Sequence, residues 1–407
     1  MSIIDKLFEK DCWDAFYDYK ISHGNINEAE AADLRSYIDS KEYLPVAEKI
    51  RSKEEFSAAE KSLISKSKAG RKRIVYTFRR EENYILKLIS YLLRDYDYLF
   101  SPNLYSFRKD SGVKKATRDI LKIKNLDRCY VYKADISDYF NSVEVDILLP
   151  ELESVLISDR ELFDFIRSIL KNPCVQYCGE LVEEKKGIMA GVPLSAFLAN
   201  FYLRELDAYF YEKGIPYVRY SDDILVFAYS EEELKESIGK IKSFLNSRRL
   251  KINPEKETVT PPGEKWEFLG FSYYRGTIDI SDISFEKLKS KMRRKARALC
   301  RWSGKKNVPG DVAARVFVKK FNAKLYDNPV YNELTWTRWF FPVINTSETL
   351  KAIDAYMQDC IRYIATGKRT KVRYNFRYEE IKDLGYRSLV NEYYKFKAAD
   401  DEKNEQK

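Results

Sequence analysis

Tyr217-Val-Arg-Tyr-Ser-Asp-Asp-Ile-Leu-Val-Phe-Ala228 decides the reading of this chain. Two β-prone runs, 217–220 and 224–228, flank Ser221-Asp222-Asp223, the pattern of a hairpin. One aspartate in such a turn is ordinary, because Asp tolerates turn geometry. Two adjacent ones repel each other unless a cation lies between them. Tyr220 and the apolar run Ile224-Leu-Val-Phe227 set the pair on a buried scaffold. Upstream, Cys129-Tyr-Val-Tyr-Lys-Ala-Asp-Ile136 reads as another strand, and it also ends near an acid, Asp135. Strands of this kind can be neighbours in one sheet. Three carboxylates then make an all-oxygen site suited to Mg²⁺. Two such ions ~4 Å apart hold the attacking hydroxyl and the leaving phosphate of an in-line displacement. The plain alternative is a surface turn that happens to carry two acids.

Working outward, the 407 residues are 44% hydrophobic, enough for one large core or for two or three linked domains. The net charge of +9, with 31 Tyr and 23 Phe, is compatible with nucleic acid, since cations neutralise phosphates and rings stack on bases. A mildly basic protein with an aromatic core has the same composition. The single histidine, His23, excludes Ser-His-Asp catalysis and His-based metal hydrolases. It sits in the polar stretch 23–27 and is expected in a surface loop. Cys12, Cys129, Cys174, Cys178, Cys300 and Cys360 form no CxxC pair and read as reduced thiols of a cytoplasmic protein. No apolar run is long enough to span a membrane.

Residues 28–39 and 54–66 have helical spacing, with Ser52 and Ser57 as candidate caps. Residues 71–78 read as a basic strand and 81–99 as an amphipathic helix. Helical segments follow over 144–172. One long helix is expected over 193–212 and a charged one over 231–249. Short strands are expected near 257–261, 266–273 and 277–280. Residues 286–306 carry ten Lys or Arg against one acid, Glu286, and the rest to about 397 is helical and aromatic.

The acidic hairpin is not alone. Lys133-Ala-Asp-Ile-Ser-Asp-Tyr-Phe-Asn-Ser-Val143 is similar to motif A of reverse transcriptases. Gly187-Ile-Met-Ala-Gly-Val-Pro-Leu-Ser-Ala-Phe-Leu-Ala-Asn-Phe-Tyr-Leu203 resembles motif B of the group II intron and retron-like branch, and Tyr220-Ser-Asp-Asp223 resembles motif C. Leu250-Lys-Ile-Asn-Pro-Glu-Lys256 with Trp266-Glu-Phe-Leu-Gly-Phe271 resembles motifs D and E. Gly70-Arg-Lys-Arg73 and Leu104-Tyr-Ser-Phe-Arg108 look like the finger motifs. Order and spacing match over 70–273.

The resemblance implies an α+β right-hand polymerase. Residues 1–68 would be a helical N-terminal extension, 69–134 the fingers and 135–282 the palm with interleaved fingers helices. Residues 283–397 would be a helical thumb and RNA-binding region, and 398–407 a disordered tail. It implies two Mg²⁺ ions, with Mn²⁺ as the alternative, held by Asp135, Asp222, the weaker ligand Asp223 and the Ile136 carbonyl. Phe140 would be the steric gate that excludes a 2′-OH, Tyr220 would line the nucleotide site, and Arg71 and Arg73 would meet the triphosphate of the dNTP. Gly191 would form the turn under the template or nucleotide, with Met189 and Ala190. Lys256 would protonate the leaving pyrophosphate, there being no histidine to do so. Arg108 would contact template or primer, and Phe268, Leu269 and Gly270 would grip the primer end. The basic helix, with cations at 287, 291, 294, 295 and 301 and with Met292, Leu299 and Trp302 packing, would track an RNA/DNA duplex. Farther on, Trp336, Trp339, Phe340 and the cluster 368–377 offer two readings, a surface for structured RNA or an aromatic core.

The chain departs from the family at Met189-Ala190-Gly191, where Pro-Gln-Gly is usual, which points to a restricted template. Ser195 is followed by Ala196 rather than Gln, unlike diversity-generating enzymes. Val259-Thr260 is followed by Pro261 rather than the retron-type Gly. What it most resembles are the unknown-group bacterial reverse transcriptases of antiphage defence, several of which use a dedicated noncoding RNA. Template-independent or protein-primed DNA synthesis is one alternative, and an idle RNA-binding scaffold is another. The intact aspartates weigh against the scaffold, and Phe140 weighs against an RNA polymerase.

Overall fold

A computed structural model describes residues 2–23, 26–65, 72–326 and 335–405. The helical spacing near the start is realised as α1 (Ile3–Lys6), α2 (Lys10–His23), α3 (Glu28–Asp39) and α4 (Tyr43–Arg51). They gather around Trp13, whose indole N–H donates to the Leu7 carbonyl at 2.9 Å and whose ring stacks on Tyr43 with centroids 5.0 Å apart. A buried Trp needs such a partner for its one donor. Asn27 and Glu30 form a capping box at the start of α3.

Two expectations change here. His23 is the last residue of α2, its ring stacked on Tyr19, and not part of a loop. Residues 54–65, the described part of the helix expected over 54–66, do not form one: β1 (Ala59–Ser65) pairs antiparallel with β2 (Lys72–Thr77), the basic strand expected over 71–78. A partner strand settles what a short amphipathic segment leaves open. Ser57 caps nothing, its N–H donating to Glu82 at 2.9 Å, while Ser52 closes α4.

Next come α5 (Arg80–Leu92), a 3₁₀ turn over 93–99, and α6 (Val113–Leu121). They lead into β3 (Tyr130–Asp135), the short α7 (Tyr139–Ser142), α8 (Val145–Val155) and α9 (Arg160–Lys171). The hairpin β4 (Cys174–Tyr177) and β5 (Glu180–Glu183) extends the first sheet to the order β2-β1-β4-β5, with β1 and β4 parallel. The single helix expected over 193–212 is two, α10 (Ser195–Tyr202) and α11 (Arg204–Glu212). Leu203, at φ −109°, separates them. α10 is buried nearly all round, whereas α11 buries only Leu206, Asp207 and Phe210.

Then follow β6 (Tyr217–Tyr220), β7 (Asp223–Ala228), α12 (Glu231–Ser247) and β8 (Thr258–Thr260). The central sheet has the order β6-β7-β3-β8, antiparallel throughout. The inner strand β7 is buried from Ile224 to Ala228, as its unbroken apolar run requires.

The chain divides into two compact units, Met1–Pro262 and Gly263–Lys407. In the second, β9 (Trp266–Phe268), β10 (Phe271–Tyr274) and β11 (Thr277–Ile280) form an antiparallel meander. α13 (Asp282–Lys306) buries Leu288, Met292, Ala296 and Leu299 and packs with α14 (Gly310–Leu325) and α16 (Glu348–Thr366). Trp302, expected on the packed side, is exposed. Between them lies α15 (Trp336–Phe340), and α17 (Tyr378–Asp383) and α18 (Leu389–Glu405) complete the unit. The buried Asp354 carboxylate accepts from the Tyr386 hydroxyl at 2.8 Å and the Leu389 N–H at 2.9 Å, tying α16 to the start of α18. That helix continues through residues 398–405, where a disordered tail was expected. Together these are the mixed helices and small sheets of an α+β fold. Among the described residues no helix is long and apolar enough to cross a membrane.

Candidate active site

Strand pairing brings the three aspartates together. β3 and β7 are neighbours, and their register sets Asp135 directly opposite Asp223. Asp222 lies in the tight turn before β7, and its carbonyl accepts the Ile136 N–H at 3.1 Å. Ser221 takes the left-handed backbone conformation (φ +60°) that turns the chain there. The other flank of Asp135 is fixed by the 250–257 segment: the Asp135 carbonyl accepts from Asn253 N–H at 2.8 Å, and the Lys251 carbonyl from Ser137 N–H at 2.8 Å. This segment also delivers Lys256, whose ammonium donates to Asp135.

The electrostatics are those of unsatisfied negative charge. Burial and then Asp135 push the Asp222 carboxyl up. Burial and then Asp222 push Asp223 up to about 6. Burial alone would lower Lys256, but its hydrogen bond to Asp135 and the nearby carboxylates outweigh that, and the net direction is up. Among the described residues, no three Asp, Glu, Cys or His side chains converge tightly enough to ligate one ion as they stand. The donor set nevertheless suits a hard divalent cation: acidic oxygens, partly desolvated, with Asp222 and Asp223 both made less willing to ionise by burial and a neighbouring carboxylate. Asp135, at 4% exposure, and Asp222 on the adjoining turn are the residues that would hold it, with Asp223 beside them.

Phe140 stands on α7, four residues beyond the Ile136 contact, half-buried and edge-on to Tyr139 at 5.7 Å. A residue serving only the core would be enclosed. Motif B folds against it. The Ile188 N–H donates to the Phe140 carbonyl at 2.9 Å, and the Ala190 N–H to the Asn141 side chain at 3.0 Å. Gly187 has φ +56°, and a Cβ there would lie 2.5 Å from the Phe140 carbonyl oxygen, so only glycine fits. Gly191 is exposed at φ +102°, and the neighbouring Ala190 carbonyl accepts the Tyr76 N–H of β2 at 2.8 Å. That contact brings the strand carrying Arg73, which is exposed, beside motif B. Arg71 lies outside the described residues. Tyr220 is half-buried at the end of β6, opposite Asp223.

Arg108 does not reach outward. Its guanidinium donates to both Asp97 oxygens at 3.0 Å and to the Ser101 carbonyl at 2.6 Å, holding its own loop. Phe268 is buried core, whereas Leu269 (φ +52°) and Gly270 (φ +87°) form the two-residue turn between β9 and β10. Trp339 donates to the Leu269 carbonyl at 3.3 Å and Phe340 is buried, so both serve the second unit's core. The 371–375 segment, a 3₁₀ turn, has no buried residue.

Sequence reasoning missed the support beneath the acidic turn. Arg219 is fully buried and paired with the equally buried Asp207 of α11, its Nε donating at 2.8 Å. The same guanidinium donates to the Ser221 carbonyl at 3.1 Å and the Asn200 carbonyl at 3.2 Å. The Ser221 N–H donates to the buried Ser106 hydroxyl at 2.8 Å. Both backbone groups of the residue before Asp222 are thus clamped from inside the protein. The available signal was a charge at one position of each apolar stretch: Asp207 between Leu206 and Phe210, Arg219 between Val218 and Tyr220.

No curated protein sequence matches the chain. Among solved structures, apo telomerase from Candida tropicalis truncated from its C-terminal domain aligns at TM-score 0.44 and 16% identity, over 56% of this chain and 55% of that one. This chain therefore spans little more than half of that telomerase. Apo telomerase from the same organism aligns at 0.45 and 14%, over 81% of this chain and 69% of its own. Telomerase from Candida albicans in complex with a TWJ fragment of telomeric RNA aligns at 0.43 and 13%, over 87% and 71%. The model of the reverse transcriptase (RNA-dependent DNA polymerase) family matches residues 64–273, more than half of the chain and the whole span in which the aspartates, motif B and Lys256 lie. The chain belongs to that family and has its right-hand polymerase fold.

Proposed function

We propose that the chain is an RNA-directed DNA polymerase that extends a 3′-OH with dNTPs, copying a dedicated noncoding RNA in antiphage defence. The observation that carries the polymerase reading is the register of β3 and β7, which sets Asp135 against Asp223 with Asp222 in the turn between β6 and β7. Asp135 and Asp222 would hold Mg²⁺ or Mn²⁺, with Asp223 and the Ile136 carbonyl as further oxygens; bound there, such ions would supply activation of a 3′-OH and neutralisation of phosphate charge. Phe140 closes the space beneath the sugar and selects against a 2′-OH. Lys256 puts an ammonium where the charge on the leaving pyrophosphate is met and a proton supplied. Arg73, on the strand bonded to motif B, meets the triphosphate, and Arg71 precedes it. The Leu269–Gly270 turn touches the primer end.

In this reading 69–134 are fingers, 135–282 palm and 283–397 thumb, and the exposed cations of α13 follow the RNA/DNA duplex. The absence of Gln in motif B supports a restricted template. The free cysteines of the described residues suit a reducing, cytoplasmic setting.

The test is to purify the chain from cells carrying its flanking DNA and sequence the RNA and DNA that come with it, beside an Asp222→Ala/Asp223→Ala control. One dominant RNA with complementary DNA, lost in the control, is the expected result. DNA present only with the intact aspartates but matching no RNA would move the reading to untemplated or protein-primed synthesis. RNA with no DNA in either sample would leave a binding scaffold.

A further inference from the structure

Away from the aspartates, the first unit contains a cavity of about 310 Å³ that shares only Arg108 with the roles above. It opens between α2, the C-terminal half of α5 with its 3₁₀ turn, the bend at 107–108 and the start of α10. Its lining includes four cations, Lys20, Lys87, Arg94 and Arg108, and a single acid, Asp97, which is already bound to Arg108.

The aromatic wall is prearranged. Tyr19 and Tyr91 lie 5.0 Å apart, with the Arg94 guanidinium 4.3 Å from the first ring and 5.6 Å from the second. A layer of rings and guanidinium accepts a flat π-system on its free face. Lys87 lies over Tyr84 at 5.0 Å and forms no ion pair among the described residues. Burial lowers both Lys20 and Lys87, each of which Glu30 partly offsets, so an anion between them would be welcome.

Phe107 completes the rim. It is 55% exposed and holds φ +57°, a conformation that a bulky side chain rarely adopts. The Arg108 hydrogen bonds to Asp97 and to the Ser101 and Leu104 carbonyls keep it there. A strained, exposed ring beside a cationic cavity has no packing role to explain it.

We propose that this cavity binds one unstacked nucleotide of a single-stranded RNA, its phosphate met by Lys20, Lys87 and Arg94 and its base by the Tyr19, Tyr91 and Phe107 rings. The volume sits at the lower end of the ~300–1,000 Å³ typical of ligand sites. It admits a single nucleotide and excludes a duplex. The choice of RNA rests on the polymerase reading above; the choice of a nucleotide rests on the cavity.

The test is ultraviolet cross-linking of the full chain to a short single-stranded RNA carrying one 4-thiouridine, with peptide mapping and an anisotropy titration. Cross-links are expected on peptides containing Tyr19, Tyr91 or Phe107. Lys87→Glu and Phe107→Ala should each weaken binding about tenfold, while Lys87→Arg and Phe107→Trp retain it, with melting curves confirming folded protein. Cross-links mapping elsewhere, with Lys87→Glu binding as the parent does, would overturn the site. So would free AMP binding the cavity more tightly than the RNA does, since that outcome makes it a free-nucleotide site.

The Asp222→Asn/Asp223→Asn variant separates the two readings. It should lose DNA synthesis and keep the cross-link. Synthesis by the parent without the cross-link would sink this inference alone. A cross-link with no synthesis on any template would sink the polymerase reading alone.

Discussion

Each aspartate of the turn does something its neighbours make difficult. Burial and Asp222 raise the Asp223 carboxyl to about 6, against 3.8 in free chain. A carboxyl raised on folding binds its proton more tightly in the native state. Its contribution to stability is therefore present below about 4 and is lost as pH rises through about 6. At neutral pH and without metal, Asp223 works against the fold, so Asp223→Asn should stabilise the chain by about 1 kcal/mol once solvent screening is allowed for. Thermal melts in EDTA at pH 7.5 and pH 4 measure this: the variant should melt higher at the first and level with the parent at the second. An equal melting point at both would mean that the repulsion is not there. Asp222→Asn should lower primer extension on an RNA template by about 10³-fold or more, the scale of several kcal/mol of transition-state stabilisation. Phe140→Ala should leave the fold intact and raise incorporation of rNTPs relative to dNTPs by about 10–100-fold, read from extension with each nucleotide in turn. If nucleotide choice is unchanged, Phe140 is not the gate. That Asp135, Asp222 and Asp223 would lie together was legible in the sequence, because each sits in a stretch whose residue types and spacing resemble the family's motifs. Arg108 was misleading for the same reason: its motif was recognised, but only the structure shows its donors turned onto Asp97 and nearby carbonyls.

An element is readable from sequence when its own residues decide it. β7 is such a case: an unbroken apolar run after two acids becomes a buried inner strand. β1 is the opposite case. Leu63 and Ile64 give the 54–66 stretch a helical look, yet both are exposed, and what fixes the strand is pairing with β2 and with β4, more than a hundred residues away. The break at Leu203 is likewise set from outside, since it lets α11 bring Asp207 to Arg219 of β6 while α10 stays buried. That buried pair is the element-scale device on which the acidic turn rests. Asp207→Asn leaves a guanidinium uncompensated at zero exposure and should cost about 3–5 kcal/mol of stability, seen as a lower urea midpoint. Removing both charges, as Asp207→Leu with Arg219→Met, should recover much of that stability but not the activity, because the Ser221 carbonyl then loses its Arg219 donor. Activity recovered along with stability would make the pair a folding device with no part in placing Asp222.

At the scale of the whole molecule, the +9 charge is unevenly spent, and the clearest concentration is α13. Its apolar residues Leu288, Met292, Ala296 and Leu299 fall at four-, four- and three-residue spacing and are buried, so the helix is oriented by its own core contacts. Lys287, Lys291, Arg294 and Arg301 are left exposed, an arrangement that suits the regular spacing of phosphates along a duplex. Composition alone could not distinguish this from a merely solvated face, because both carry the same residues. Salt dependence can. If these side chains contact phosphates, each one replaced should remove about 0.7–0.9 from the slope of log affinity against log salt. The triple variant Lys287→Gln, Lys291→Gln, Arg294→Gln should therefore flatten the slope for an RNA/DNA duplex by about 2 to 3, while leaving the melting temperature close to the parent's because none of the three is buried. A variant that binds with the parent's slope would assign α13 to solvent. The duplex would then be held by other cations of the chain, with the exposed turn at 371–375 the next segment to test.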